Sequence, residues 1–365
     1  MFVAAASSLT LLAFLAPLRL IKSDLMHALV TGASGFLGLY IVEQLVVRGD
    51  SVRAYCRGEP EELRRLGVEI VPGDLRDRDR TIAACDGVDT VFHVGGVSGI
   101  WGPWEHYYEN NTLATQNVIE GCRRHSVGRL VYTSSPSVTF DGREQCGVDE
   151  SAPYATRWLC HYPHSKALAE QAVLGANGAG GLLTCALRPH LIWGPRDRHL
   201  IPRLLERQRA GQLRRVGDGR NLIDITYVEN AAVAHLQAAD ALRAGSPVCG
   251  RPYFISQGQP VNCWVWIDQI LTLASLAPVR GSISLRLAWA AGALFEAIHS
   301  VARSRAEPRL TRFLAAQLGR SHYFNIGRAK ADFGFRPAVS IAEGMRRLGD
   351  WIKPTILPQV RRDRL

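Results

Sequence analysis

A glycine-rich turn between an apolar strand and a helix constrains this chain more than any other feature. Residues 27–31 form a short apolar run that predicts a buried strand, and residues 36–47 have the apolar spacing of a helix. Glycines in the turn permit a tight bend and let a pyrophosphate approach the N–H groups of the helix. A preceding strand and a following helix distinguish such a turn from one that serves packing alone. The sequence therefore predicts dinucleotide binding at Gly32, Gly35, Phe36, Leu37 and Gly38.

The alternation of strands and helices continues along the first half of the chain. Apolar runs predict further strands at 51–56, 68–71, 90–94, 130–133 and 183–187, and helices at 63–66, 113–122 and 162–174. This order predicts an α/β fold of the Rossmann type, with a doubly wound parallel sheet. The alternation weakens after about residue 190. We therefore expect an NAD(P)-binding domain at 26–190, a smaller C-terminal substrate-binding lobe interleaved with it at 191–350, and a basic tail at 351–365.

Composition excludes several other classes of protein. The chain has 365 residues, 47% of them hydrophobic and 21% charged, which is typical of a globular protein rather than a disordered chain. Its net charge of +10 favours anionic partners. The densest basic stretch, 196–220, lacks aromatic residues and zinc-finger or RNP patterns, so we expect no nucleic-acid partner. The eight cysteines form no CxxC motif and the histidines have no metal-ligand spacing, which predicts reduced thiols, a cytoplasmic location and no metal site.

The amino terminus carries an apolar run from Val3 to Leu18, followed by Arg19. This run is shorter than the ~20 residues that span a bilayer, and no basic residue precedes it as in a signal peptide. Two interpretations remain: a short membrane anchor, or translation that begins at Met26. Residues 1–25 are therefore treated as an extension outside the fold, and membrane association stays open beside the cytoplasmic location.

The end of the second strand bears on the choice of cofactor. NAD enzymes usually place an acidic residue there, on the ribose 2′-hydroxyl. Here Arg57 takes that place, and an arginine can pair with a 2′-phosphate, so we expect NADP(H), with NAD(H) as the alternative. Arg57 could instead stack on adenine or face solvent. Asp74 and Leu75 follow the third strand and are placed to meet the adenine, although Asp74 could simply cap the next helix.

A tyrosine and a lysine four residues apart are the candidate catalytic pair. Tyr162 and Lys166 share one face of a predicted helix. A nearby ammonium, together with the positive charge of an oxidised nicotinamide, favours the phenolate, which makes the pair a candidate acid/base for a carbonyl/alcohol couple. Ser135 follows the fifth strand, where its hydroxyl could hold the substrate oxygen or simply cap a turn.

Five motifs resemble the extended short-chain dehydrogenase/reductase superfamily: TGASGFLG at 31–38, GDLRD at 73–77, FHVGG at 92–96, YTSSPSV at 132–138 and YPHSK at 162–166. Within it the chain resembles the 3β-hydroxysteroid dehydrogenase family. Its segments at 162–174, 187–204 and 217–230 are similar to the sterol-4-carboxylate 3-dehydrogenase branch and to bacterial 2-alkyl-3-oxoalkanoate reductases. The resemblance spans roughly residues 26–348.

The resemblance assigns roles to individual residues. It implies that Tyr162 is the proton donor/acceptor, that Lys166 binds the ribose, and that Ser135 orients the substrate, with Ser134 as a close competitor. Asn111 matches an asparagine near the active-site helix and takes a structural or proton-relay role. The chain departs from the family at 94–96, where many relatives have alanines in place of Val-Gly-Gly, which puts the nicotinamide-side contact of this loop in question.

The implied activity is an NAD(P)(H)-dependent oxidoreductase that interconverts a 3-hydroxyl and a 3-keto group on a bulky lipid or sterol-like carboxylate. Aromatic residues at 99–108 could wall an apolar pocket or belong to the core. His190, Arg196 and Arg198 could meet the carboxylate or be solvated loop residues. Apolar residues from Leu287 to Val301 predict a helix that could be a lid, an interfacial membrane helix or part of the core.

Two other classes of function share this fold. A sugar-nucleotide epimerase or dehydratase would retain its NAD, and the missing acid after the second strand counts against it. A non-catalytic NADP-sensing scaffold would often lack the tyrosine or the lysine, and this chain keeps both. A homodimer is common in the superfamily, but no sequence feature demonstrates one here.

Overall fold

The computed structural model describes residues 25–355, so the predicted N-terminal run at 3–18 and most of the predicted basic tail lie outside the described residues. The strands are β1 (His27–Thr31), β2 (Ser51–Cys56), β3 (Glu69–Pro72), β4 (Thr90–His93), β5 (Arg129–Thr133), β6 (Gln145–Val148), β7 (Leu183–Pro189), β8 (Ile192–Trp193), β9 (Arg215–Val216), β10 (Leu222–Ile223), β11 (Thr226–Tyr227), β12 (Arg251–Ile255), β13 (Val261–Asn262), β14 (Ser282–Ile283) and β15 (His322–Phe324).

The α-helices are α1 (Phe36–Arg48), α2 (Glu61–Arg65), α3 (Arg78–Ala83), α4 (Trp104–Tyr107), α5 (Ala114–Arg124), α6 (His161–Gly175), α7 (Leu200–Arg209), α8 (Val228–Ala241), α9 (Cys263–Leu273), α10 (Leu285–Val301), α11 (Arg312–Gly319), α12 (Gly327–Phe333) and α13 (Ile341–Thr355). A π-helical segment, Tyr108–Leu113, joins α4 to α5. Short 3₁₀ turns cover Pro136–Thr139 and Ala179–Gly181.

Seven strands form the central sheet in the order β12-β7-β5-β4-β1-β2-β3. Every neighbouring pair is parallel. The order reverses between β1 and β4, which is where ligands bind in doubly wound sheets. The predicted Rossmann-type α/β fold is confirmed.

Helices cover both faces of this sheet because their apolar residues recur on one side. On one face α1 packs against α8, with Ile41 and Leu45 buried against the sheet, and α1 ends at Gly49 in the left-handed conformation. On the other face α3, α5 and α6 pack together, and Val118 and Val173 lie in their shared core.

A second lobe has its own sheet, in the order β13-β10-β15-β6, and its own core around Trp193 and Trp264. The two halves of the chain are interleaved, because β12 and α8 return to the central sheet while β6 leaves the first half to join the lobe. Within this lobe the Asp224 carboxylate accepts a hydrogen bond from the Phe324 N–H at 2.8 Å. None of the helices within residues 25–355 has the length and apolarity needed to cross a bilayer.

Candidate active site

The turn after β1 forms a backbone cradle at the amino terminus of α1. Gly32 has a φ of +66°, and a Cβ there would lie 2.7 Å from the Cα of Gly95 in the loop after β4. A Cβ on Gly38 would lie 2.2 Å from the carbonyl oxygen of Gly32. Gly35 caps the helix with no side-chain hydrogen bond, so the first N–H groups of α1 stay free for an anionic ligand. These features fit the pyrophosphate of a dinucleotide, which the amides of Phe36, Leu37 and Gly38 would hold.

The Val-Gly-Gly departure at 94–96 has a packing reason. A Cβ on Gly95 would lie 2.4 Å from Cδ1 of Leu75, and one on Gly96 would lie 2.9 Å from Oδ1 of Asn111. Leu75 therefore fills the space that a larger residue at position 95 would need. The predicted cofactor residue Leu75 thus lies against the loop that packs on Gly32.

Arg57 lies exposed directly after β2 and forms no ion pair with another residue of the described chain. The nearby Asp74 carboxylate is held by Arg76 at 2.8 Å, and this pairing lowers the pKa of Asp74. The alternative of Asp74 as a helix cap is wrong, because Asp77 caps α3 by accepting a hydrogen bond from the Arg80 N–H. Arg57 is thus the arginine at the tip of β2 that is available for an anion.

Helix α6 positions the candidate catalytic pair. It begins at His161 after an extended Cys160, and its proline stands in the first turn, where a missing N–H costs nothing. Lys166 is buried and its Nζ donates a hydrogen bond to the carbonyl oxygen of Thr133 at 2.6 Å. The same Nζ lies 4.2 Å from the centre of the Tyr132 ring. Burial lowers the pKa of Lys166 to about 7.

The surroundings of the Tyr162 hydroxyl favour its neutral form. Burial raises the pKa of Tyr162, and the nearby Ser135 hydroxyl opposes that shift. The Lys166 Nζ lies against the Tyr132 ring and the Thr133 carbonyl oxygen. A protonated hydroxyl beside Ser135 is suited to donate a proton to a carbonyl oxygen.

The two serines after β5 point in different directions. The Ser135 Oγ lies 2.8 Å from the Oγ of Ser137 and accepts a hydrogen bond from the Ser137 N–H, so it caps the following 3₁₀ turn, and its nearness to Tyr162 lowers the pKa of that tyrosine. Ser134 is buried, and its Oγ has no hydrogen-bond partner within residues 25–355. The geometry favours Ser135 over its neighbour as the residue beside a substrate oxygen. Ser137 is a partner that the sequence analysis did not identify.

Asn111 links the loop after β4 to α6. Its Nδ2 donates hydrogen bonds to the Val97 carbonyl oxygen at 3.0 Å and to the Ser165 Oγ at 2.9 Å, while its Oδ1 accepts one from the Val97 N–H at 2.8 Å. The Ser165 Oγ in turn donates to the Tyr162 carbonyl oxygen at 2.8 Å. The π-helical segment at 108–113 places Asn111 here, and no local sequence pattern predicts that bulge.

The aromatic loop at 99–108 lies beside Tyr162. Tyr107 is buried, with its ring 6.5 Å from that of Tyr162, and its hydroxyl donates to the Trp101 carbonyl oxygen at 2.9 Å. Trp104 is partly exposed and packs against His164 of α6 at 4.7 Å between ring centres. The loop therefore supplies both a buried ring and partly exposed apolar surface next to the candidate catalytic tyrosine.

Arg196 and His190, two of the three residues that could meet a substrate carboxylate, are paired within the protein, and Arg198 is exposed. Both terminal nitrogens of Arg196 pair with the Glu43 carboxylate, at 2.6 and 2.7 Å. Arg198 lies 3.6 Å from Glu62. His190 is buried, with its Nε2 2.6 Å from the Nδ1 of His322.

Comparison with known proteins identifies the family. A model of the 3-beta hydroxysteroid dehydrogenase/isomerase family matches residues 29–282. The chain belongs to this family. The 2-alkyl-3-oxoalkanoate reductase of Shewanella oneidensis is 45% identical over 335 residues, which is 90% of this chain and 87% of that protein. The mouse (Mus musculus) sterol-4-alpha-carboxylate 3-dehydrogenase, decarboxylating, is 35% identical over 322 residues, covering 87% of this chain and 88% of the relative.

Among solved structures, MoeE5 in complex with UDP-glucose and NAD is similar, with a TM-score of 0.68 and 26% sequence identity. The match covers 93% of this chain and 99% of MoeE5. Membership of the 3-beta hydroxysteroid dehydrogenase/isomerase family confirms the predicted class of activity, an oxidoreductase that acts on a CH–OH group. A nicotinamide cofactor agrees with that membership and with the backbone cradle at Gly32.

Proposed function

We propose that this member of the family is an NADP(H)-dependent reductase of bulky 3-oxo carboxylates, of the 2-alkyl-3-oxoalkanoate type. The observation that carries the proposal is the position of Tyr162 and Ser135 at the carboxyl end of the parallel sheet, where burial raises the pKa of the tyrosine. The 45% and 47% identity of two bacterial 2-alkyl-3-oxoalkanoate reductases supports this substrate class over a sterol carboxylate.

A reduced nicotinamide held by the backbone cradle at Gly32 would supply the hydride that C3 of the substrate requires. Tyr162 gives its hydroxyl proton to the carbonyl oxygen, so the ketone becomes an alcohol and the carboxylate stays unchanged. Ser135 would hold that oxygen by hydrogen bonding. Lys166 would bind the ribose of the cofactor, and the phenolate left on Tyr162 would take up a proton from solvent before the next turnover.

The preference for NADP(H) rests on Arg57. Its guanidinium is exposed after β2, and the nearest acidic residue along the chain, Glu59, pairs with Arg64 at 3.0 Å. An arginine without an acidic partner at this place can pair with a 2′-phosphate. Arg57→Gln should lower kcat/KM for NADPH by about tenfold or more and leave that for NADH unchanged, since a charge-assisted pair contributes ~1.5–3 kcal/mol. An equal effect on both cofactors would contradict the assignment.

The test of substrate class compares two sets of reactions with the full chain. One contains NADPH and a 2-alkyl-3-oxoalkanoate, and the other contains NAD⁺ or NADP⁺ and a 3β-hydroxysteroid with or without a 4-carboxylate. We expect loss of NADPH absorbance in the first set. Cofactor reduction only in the second set would overturn the proposal and indicate a sterol dehydrogenase.

A further inference from the structure

A buried histidine of the central sheet is hydrogen-bonded at both ring nitrogens and has no part in the proposed reaction. His93 is the last residue of β4 and pairs in register with Thr31, the last residue of β1. It therefore lies at the carboxyl edge of the sheet, where the strand order reverses. Its Nδ1 lies 2.7 Å from the Thr31 Oγ1, and its Nε2 lies 2.9 Å from the Thr115 Oγ1.

The hydrogen-bond partners fix which ring nitrogen of His93 carries the proton. The Thr115 hydroxyl donates its only hydrogen to the Asn111 carbonyl oxygen at 2.5 Å, so it can only accept from the histidine, and Nε2 is protonated. Burial lowers the pKa of His93 to about 3, so the ring is neutral and Nδ1 accepts the Thr31 hydroxyl proton. The Thr31 Oγ1 in turn accepts a hydrogen bond from the Gly95 N–H at 3.2 Å. These bonds all point one way, and such bonds strengthen one another.

Asn111 continues the connection to the catalytic helix. Its Nδ2 donates to the Ser165 Oγ at 2.9 Å, and the Ser165 Oγ donates to the Tyr162 carbonyl oxygen at 2.8 Å. The hydrogen bonds thus connect the Gly95 N–H, in the loop that packs on the dinucleotide cradle, to the first turn of α6.

A second contact leads from His93 to the candidate ribose ligand. The centre of the His93 ring lies 5.4 Å from that of Tyr132 on the neighbouring strand β5. The Lys166 Nζ lies 4.2 Å from the centre of the same tyrosine ring. His93 is therefore linked to both members of the candidate catalytic pair on α6.

We propose that His93 is a positioning residue for the oxidoreductase reaction of this family, because it ties the dinucleotide cradle at Thr31 and Gly95 to the helix that presents Tyr162. A hydride donor and a proton donor must reach the same carbonyl group. An error in their relative position therefore lowers the rate of the chemical step more than the affinity for the cofactor. The proposal does not depend on which substrate the enzyme reduces or oxidises.

Thr115 offers the sharpest test. Thr115→Val removes the hydroxyl between His93 and Asn111 but keeps the shape of the side chain. It should lower kcat about tenfold to a hundredfold and leave the Kd for NADPH within about threefold. Thr115→Ser keeps the hydroxyl, so its kcat should stay within about threefold of the wild-type value. Thr184→Val is the matched control, since the buried Thr184 hydroxyl donates to the Val173 carbonyl oxygen at 2.9 Å, near the other end of α6.

The two valine variants separate positioning from stability. Both should lower the midpoint of urea unfolding, because each leaves a buried partner unpaired, but only Thr115→Val should lower kcat. Equal kcat values for the two valine variants, or a loss in Thr115→Ser as large as in Thr115→Val, would overturn the proposal. The assay uses whichever substrate the wild-type chain turns over, a 2-alkyl-3-oxoalkanoate or a 3β-hydroxysteroid. Failure of the proposed substrate class is therefore distinguishable from failure of this inference.

A second test needs no turnover. Two-bond ¹H–¹⁵N NMR of the full chain with ¹⁵N-labelled histidine reports which nitrogen of each ring carries a proton. The His93 signals are those absent from His93→Gln or, should that variant not fold, those that shift in Thr115→Ser. We expect a protonated Nε2 and an unprotonated Nδ1 at neutral pH. A protonated Nδ1, alone or together with a protonated Nε2, would overturn the proposal, because Thr31 could then not donate to the ring.

Discussion

The Nζ of Lys166 donates a hydrogen bond to the carbonyl oxygen of Thr133 across 2.6 Å. This bond joins the first turns of α6 to the end of β5, both of which carry candidate catalytic residues. It fixes the rotation of α6 about its own axis. Tyr162 stands one turn before Lys166 on the same face of the helix, so this rotation places the tyrosine beside Ser135. The lysine is thus a positioning residue for the tyrosine as well as a candidate cofactor ligand.

Lys166 should also make the free energy of unfolding depend on pH. Its pKa is about 7 in the folded chain and about 10.4 when unfolded, so between these values the unfolded chain binds more protons. The free energy of unfolding should therefore rise with pH in this window, by at most about 1.4 kcal/mol per pH unit from this group. Lys166→Met should remove that contribution, as measured by urea denaturation between about pH 7.5 and 9.5. Parallel curves for the two proteins would contradict the burial of a titrating amine.

The glycine cradle predicts a difference between two substitutions of the same kind. Gly32 and Gly67 have φ values of +66° and +67°, but a Cβ on Gly67 meets nothing within 4 Å. Gly67→Ala should cost about 1–2 kcal/mol, the strain of a left-handed conformation alone. Gly32→Ala adds a clash with Gly95 and should cost about 1–3 kcal/mol more, with loss of dinucleotide binding. If chemical denaturation gave equal losses of unfolding free energy for the two variants, Gly32 would not approach Gly95 as closely as the structure shows.

Much of the central sheet could be predicted from the sequence because its signals are local. The predicted strands at 27–31 and 51–56 coincide with β1 and β2, and the predicted helix at 162–174 differs from α6 by one residue at each end. Local apolar runs and glycine turns determine these segments. The sequence did not predict β12 as a strand of the central sheet, because this short edge strand is defined only by its pairing with β7.

Asn111 should be more sensitive to truncation than its neighbour Asn110. Buried Asn111 makes three hydrogen bonds to Val97 and Ser165, whereas the Asn110 side chain makes an exposed one to the His106 carbonyl oxygen. Asn111→Ala should lower the free energy of unfolding by about 2 kcal/mol or more, because it leaves buried partners unpaired. Asn110→Ala should change it by less than about 0.5 kcal/mol. Thermal and urea unfolding of both variants would check this, and similar losses would argue against the network.

Arg196 should support the fold rather than bind substrate. It pairs with Glu43 through two nitrogens and lies 3.9 Å above the Tyr40 ring. Arg196→Gln should lower the free energy of unfolding by about 1 kcal/mol, since the pair is only partly buried. The KM for a carboxylate substrate should stay within about twofold of the wild-type value in steady-state assays. A large rise in KM with unchanged stability would restore Arg196 as a substrate ligand.

The sequence predicts which residue types belong to the candidate site, but it does not predict which partners their side chains find in the fold. Ser135 and Arg196 illustrate the difference. Residue types and spacing indicated Tyr162, Lys166 and Ser135 as candidates, and the structure brings the tyrosine and Ser135 together. Whether an arginine is free or paired depends on a residue more than 150 positions away, as with Arg196 and Glu43, and no local pattern carries that information. The π-helical turn that presents Asn111 is likewise a product of packing.

The most direct measurement follows NADPH oxidation by the wild-type chain and by Tyr162→Phe with a 2-alkyl-3-oxoalkanoate. Loss of the hydroxyl should reduce kcat by about 10²–10⁴-fold, the usual contribution of a positioned acid. NADPH binding by fluorescence should stay within about threefold, because the backbone cradle at Gly32 is untouched. Turnover by Tyr162→Phe at the wild-type rate would contradict the central claim that this hydroxyl gives the proton to the substrate.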